Sequence, residues 1–273
     1  MDIRFWKMHG AGNDFVLVDD RREEFPAADR AWLTCVADRR TGVGCEGIIL
    51  IQPSTKADFR MRFFNPDGSE VDMCGNGARC VARLAHEIGA APAEMTIDTL
   101  AGVLRAAITG RNVRLGMTRP KDWRLHETLD LPGGALAYGF VNSGVPHVVA
   151  EVPDLDQMDV VRTGTAIRHH RAFAPAGTNA NFIAVTGPQS LRIRTYERGV
   201  EDETLACGTG ITAAALIAGK SGRVQPPVRV TCRSGDVLEV NYRLTADGAE
   251  DVTLLGPAAH VFQGVLPYPA PRS

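Results

Sequence analysis

Apolar residues recur along this chain with two different periods, and the switch between them marks its organisation. FVLVDD (15–20), GIILIQP (47–53) and ADFRMRFFN (57–65) show apolar runs or strict alternation between turn-forming residues, the pattern of strands. Residues 27–40 predict a short helix ending near Gly42. A turn-rich PDGSEVD follows Asn65, and there the period lengthens. Val81, Leu84, Ala85 and Ile88 fall at i, i+3, i+4 and i+7, which predicts an amphipathic helix stopped by Gly89. MTIDT and GVLRAAI then predict strands again.

Residues 191–241 repeat this order: LRIRTYERG as strand, VEDETLA as loop, CGTGITAAALIAGKSG as helix, and VRVTCRSGDVLEV as strands. A slide of 133 residues lays Glu70 on Glu203, Cys74 on Cys207, Gly75 on Gly208, Gly77 on Gly210 and Gly102 on Gly235. One residue more lays Gly10 and Asn13 on Gly144 and His147. A period of half the chain implies two related domains, not a solenoid. The Pro- and Gly-punctuated TRPKDWRLHETLDLPGG (118–134) is the expected boundary, and the PYPAPRS tail reads as loosely held.

Composition narrows the class without naming an activity. With 273 residues, 44% hydrophobic and 23% charged, the chain is expected to be a soluble globular protein with a sizeable core. A formal net charge of −2 offers no case for nucleic acid or an anionic membrane as partner. No apolar run is long enough to span a bilayer, and MDIRFWKMHG lacks the succession of a signal peptide. Six cysteines without CxxC or zinc spacing suggest thiols in a reducing, cytoplasmic compartment, and no metal site.

Two of those cysteines stand where chemistry is favoured. Cys74 and Cys207 each precede Gly-x-Gly at a predicted helix start, where unpaired N–H groups and the helix dipole lower a thiol's pKa. The flanking glycines let a carboxylate approach those N–H groups. Each half therefore supplies a base and an anion receptor, a set suited to inverting a stereocentre: one thiolate removes a proton and one thiol returns another to the opposite face. No cofactor is expected: no dinucleotide fingerprint is present, and no lysine stands out as a pyridoxal phosphate anchor.

KMHGAGNDF (7–15), FFNPDGSEVDMCGNGARC (63–80), GVPH (144–147), GTNANF (177–182) and YERGVEDETLACGTG (196–210) together resemble the diaminopimelate epimerases, in the family's order over nearly the whole chain. The resemblance implies an α+β fold of two pseudo-symmetric domains, each a mostly antiparallel sheet wrapped around a central helix. On this reading residues 1–117, with 257–273 returning, form the first domain and 118–256 the second. It implies Cys74 and Cys207 as the proton-transfer pair, with His147 and Glu197 as their polar partners. Asn13, Asn65, Asn179, Glu197 and Arg198 resemble substrate contacts, and the N–H groups around Gly75–Asn76 and Gly208–Thr209 resemble the carboxylate cradle. The expected partner is the small molecule diaminopimelate, and the family implies a homodimer. Proline and hydroxyproline racemases are the alternative; their motif usually has His where this chain has Asn76. Two departures stand out: many family members carry Asp-Gln at Glu46-Gly47 and Asn at Val145.

Other motifs carry less. GxGxxA at 208–213 follows a loop and a cysteine, not a strand, and GKS at 219–221 ends a helix, so neither reads as a nucleotide site. Cys35, Cys45, Cys80 and Cys232 read as packing residues, and His169-His170 as a solvated pair.

Overall fold

In a computed structural model residues 1–269 are described, and strands account for nearly half of them. The chain divides into two compact units, Met1–Leu115 with the segment from Gly256 onward, and Gly116–Leu255.

The first unit contains β1 (Asp2–Gly10), β2 (Asn13–Asp19), α1 (Arg30–Ala37), β3 (Gly47–Gln52), β4 (Phe59–Phe64), β5 (Glu70–Val71), α2 (Gly75–Glu87), β6 (Glu94–Thr99), β7 (Gly102–Thr109) and β8 (Asn112–Gly116). The second contains β9 (Lys121–Leu131), β10 (Gly134–Asn142), β11 (Pro146–Glu151), α3 (Val160–Arg168), β12 (Asn179–Gly187), β13 (Ser190–Glu197), β14 (Asp202–Thr204), α4 (Gly208–Lys220), β15 (Val228–Thr231), β16 (Val237–Thr245) and β17 (Gly248–Pro257). β18 (Ala259–Pro267) returns to the first unit and pairs antiparallel with β1.

The pairing is duplicated, strand for strand. β2 lies parallel to β3 as β11 does to β12. β3, β4 and β5 run antiparallel in turn, as do β12, β13 and β14. β4 is parallel to β6 as β13 is to β15, and an antiparallel meander follows in each unit. The repeat visible in the sequence is thus a repeat of topology. Both units are sheet-dominated α+β structures with one long helix at the centre.

That helix is buried on nearly every side. From Asn76 to Ala85 only Arg83 of α2 is not fully buried, and in α4 every residue from Gly210 to Gly219 is. The 3.6-residue pattern of Val81, Leu84, Ala85 and Ile88 thus understates the burial of α2, which packs against β1, β2, β3 and β7. Gly89, at φ +68°, ends it in the left-handed conformation that glycine adopts without cost. α4 is rich in small residues because the wall approaches closely: a Cβ at Gly219 would sit 1.9 Å from the Tyr242 hydroxyl oxygen.

Much of the punctuated stretch 118–134 is β9, paired with β10, with Asp122 and His126 at positive φ where the strand is irregular. His169 is exposed, and His170 caps the turn Arg171–Phe173 through its ring nitrogen. The end of the PYPAPRS tail, beyond Pro269, lies outside the described residues, within which no helix is long and apolar enough to cross a membrane.

Candidate active site

Cys74 and Cys207 are the N-cap residues of α2 and α4, each in extended conformation (φ −133°, ψ 122° and φ −116°, ψ 109°). Neither side chain caps its own helix. The carbonyls of Cys74 and Cys207 accept the first helical bonds, from Ala78 and Ile211 at 2.7 and 2.8 Å. The preceding N–H groups have no intrahelical partner and present partial positive charge at both mouths. Cys207 is buried and Cys74 half-buried. Cys80, fully enclosed in α2, has its thiol pushed up to about 12 by burial, as suits a packing residue.

A bidentate ion pair pins the hairpin ahead of each cysteine. Arg62 on β4 grips Glu70 with two 2.8 Å bonds, and Arg194 on β13 grips Glu203 likewise. The Glu70–Glu203 correspondence in the sequence therefore has a structural cause: each carboxylate fixes the strand that delivers a thiol.

In the second unit His147 on β11 is fully buried, and its Nε2 lies 2.9 Å from the Thr209 hydroxyl. That hydroxyl is 3.5 Å from Cys207 Sγ. Burial, reinforced by the nearby positive charge of Arg198, lowers the imidazole pKa to about 3, so the ring is neutral at ordinary pH. Asn179 spends its amide on the backbone, donating to the Pro146 carbonyl and accepting from the Arg198 N–H, each at 2.8 Å. It thereby ties the Arg198 turn to β11. Arg198 anchors one guanidinium nitrogen on the Ala176 carbonyl at 3.0 Å. Glu197 accepts from the Thr204 hydroxyl at 2.9 Å, and Ser143 donates to the Thr209 carbonyl at 2.8 Å.

In the first unit the cluster beside Cys74 is built from amides. Arg79 donates to Asn76 Oδ1 at 2.9 Å, Asn76 donates to Asn13 Oδ1 at 2.6 Å, and Asn13 donates to Glu46. Asn13 and Asn76 thus meet as their repeat counterparts His147 and Thr209 do. Burial raises the pKa of Glu46, with the Asn13 hydrogen bond opposing. Neighbouring Asp14 is paired with Lys7 and Arg39, and these partners outweigh its own burial to hold its pKa low. Asn65 shapes the turn between β4 and β5, where its N–H bonds the Ser69 carbonyl at 2.9 Å.

Glu46-Gly47 also acquires a reason. A Cβ at Gly47 would lie 2.2 Å from Phe63 Cε2, so the Phe63 ring fills the space a side chain there would need. Phe63 packs edge-on against Phe15, at 6.0 Å between centroids. Among the residues not read from the sequence as candidates are Glu46 and Arg79 and, on β12, Asn181, whose amide nitrogen lies 3.1 Å from His147 Nδ1. Only the Asn-x-Asn alternation of GTNANF signalled one of them, because it sets Asn179 and Asn181 on one face of β12.

The family model described as diaminopimelate epimerase matches residues 5–122 and 139–261, spans that include every candidate above. The chain belongs to the diaminopimelate epimerase family. The diaminopimelate epimerase of Chlorobaculum tepidum is 44% identical over 263 residues, covering 95% of this chain and 99% of its own. That of Aquifex aeolicus is 41% identical over 276 residues, covering 97% and 98%. Among solved structures, a hydroxyproline epimerase from Agrobacterium vitis superposes with a TM-score of 0.71 at 16% identity, covering 99% of this chain and 94% of its own. At that identity the likeness is one of fold alone.

Proposed function

We propose that this protein interconverts LL- and meso-2,6-diaminopimelate, with Cys74 and Cys207 as an acid–base pair acting without a cofactor. One observation carries the reading: the duplicated topology puts a cysteine at the N-cap of the central helix in both units, with matching backbone geometry. Inversion at a carbon needs two proton-transfer groups, and a family member whose fold supplies two equivalent thiols meets that need. In one direction a thiolate takes the α-proton and becomes a thiol, leaving the C–H electron pair on the α-carbon and its carboxylate. The other thiol then protonates the opposite face and becomes the thiolate. Reversal exchanges the roles.

The N–H groups of Gly75–Asn76 and Gly208–Thr209 receive the carboxylate oxygens as charge builds on them. Arg198 pairs with a carboxylate; Asn13, Asn65, Asn179 and Glu197 contribute substrate contacts, and Asn65 and Asn179 also hold turns. His147 and Glu197 tune the thiols. The reaction serves lysine and peptidoglycan precursor synthesis in the cytoplasm, and the working unit is a homodimer.

The decisive assay is deuterium uptake in enriched water without added cofactor, comparing diaminopimelate with proline. Label is expected at the α-carbon of diaminopimelate from either isomer. No exchange, or faster exchange on proline, refutes the assignment. Cys74→Ser and Cys207→Ser are each expected to lower kcat by about 10²–10⁴-fold; near-normal turnover in either would remove the two-base account.

A further inference from the structure

Asn181, on β12, is fully buried and makes three hydrogen bonds in a row with His147, Thr209 and Cys207 beyond it. Its Nδ2 lies 2.7 Å from the Val148 carbonyl oxygen and 3.1 Å from His147 Nδ1, while its Oδ1 lies 3.0 Å from the Thr195 hydroxyl. A backbone carbonyl can only accept, so the atom facing Val148 is the nitrogen and the amide orientation is fixed by chemistry. One of its N–H groups goes to Val148, and the other points at His147 Nδ1.

That ring nitrogen must then present a lone pair. With hydrogen on Nδ1, two donors would oppose each other in a dry interior, an arrangement disfavoured by the full cost of unmade hydrogen bonds. A neutral imidazole carries one N–H, which therefore sits on Nε2 and donates to Thr209 Oγ1 across 2.9 Å. A hydroxyl that accepts from the imidazole keeps its own hydrogen to give. Cys207 Sγ, 3.5 Å away, is in reach of it.

We propose that Asn181 and the Thr209 side chain are positioning residues which, through a fixed His147 tautomer, aim a hydroxyl hydrogen at Cys207 Sγ and favour its thiolate. His147 on this account is a neutral orienter, not the base that accepts the thiol proton. The device belongs to one unit alone. Where Asn181 stands 2.4 Å from a Cβ placed on Gly210, the same contact in the first unit, 2.7 Å from a Cβ on Gly77, is made by the apolar Ile49. The relay's role in turnover rests on the epimerase reading of Cys207, but the tautomer and the thiol acidity do not.

The test therefore leaves turnover aside. In ¹⁵N-histidine-labelled protein, long-range ¹H–¹⁵N correlation should show His147 neutral and protonated on Nε2 at pH 7, its signals identified by their loss in His147→Gln. An Nδ1–H tautomer, or a protonated ring, overturns the proposal. The acidity of Cys207 is read from the pH dependence of iodoacetamide capture, with mass spectrometry of its own peptide. Thr209→Val should lower the capture rate at pH 7 by about tenfold, one unit of thiol pKa, and Thr209→Ser should restore it. Asn181→Asp, whose carboxylate would draw the proton to Nδ1, should act like Thr209→Val; if it does not fold, the Val and Ser variants carry the test. Equal capture in wild type and Thr209→Val overturns the proposal. A chain that shows the relay yet leaves diaminopimelate unchanged refutes the functional assignment alone.

Discussion

Burying a neutral imidazole couples the stability of this protein to acid, and His147 sets the size of the effect. Its pKa is about 3 in the folded chain against an ordinary 6.5, chiefly because burial penalises the charged ring and secondarily because Arg198 repels it. Above pH 6.5 the ring is neutral whether folded or unfolded, so it adds no pH dependence. Between pH 6.5 and about 3 only the unfolded chain takes the proton, and stability falls with acid; below that window the loss levels off. Integrating proton uptake from pH 7 to pH 5 gives a loss of about 2 kcal/mol from this one group. His147→Gln keeps hydrogen-bonding capacity but cannot be protonated. Urea unfolding followed by far-ultraviolet circular dichroism, at both pH values for both proteins, isolates the term, since the other histidines cancel in the double difference. The variant should lose about 2 kcal/mol less than wild type over that interval. Equal losses would mean that His147 carries its proton in the folded state, or is wet, and would refute the neutral-ring account.

Gly47→Ala should destabilise by about 1–3 kcal/mol through overpacking against Phe63. Adding Phe63→Leu should recover part of that in thermal unfolding; strictly additive effects would show that the ring does not define the space. Arg194→Met leaves the enclosed Glu203 with only the more distant Arg233, at 3.7 Å, and should cost about 2–3 kcal/mol, whereas Arg62→Met, at the more exposed Glu70 pair, should cost about 1 kcal/mol. Urea midpoints check the order, and a reversed order would contradict the burial argument.

The elements that the sequence makes legible are those governed by local pattern. FVLVDD, GIILIQP and ADFRMRFFN became β2, β3 and β4, and the doubled Cys-Gly-x-Gly marked both helix mouths. Glycine and alternation act over a few residues, so one strand of text reveals them. The contacts that join distant segments were not readable in this way. Glu46 reaches Asn13 across 33 residues and Asn181 reaches His147 across 34, and neither partner announces the other by spacing. The same holds for Gly47: its lack of a side chain reads as a departure in the sequence and as a fitted ring only once Phe63 is seen beside it. Asn65 and Asn179 read as ligand-binding amides in the motif; the structure adds that each also fastens a turn.

β18 has a further consequence, in the order in which the halves can be finished as the chain emerges from the ribosome. β1 needs β2 on one edge and β18 on the other, and the latter pairing runs from Asp2–Pro267 to His9–Ala259. The strands of the second unit are all synthesised before β18 appears. The half that begins first is therefore completed last, its leading strand holding a bare edge through most of translation. A ribosome that stalls before residue 259 would release a protein whose later half is whole and whose earlier half is open.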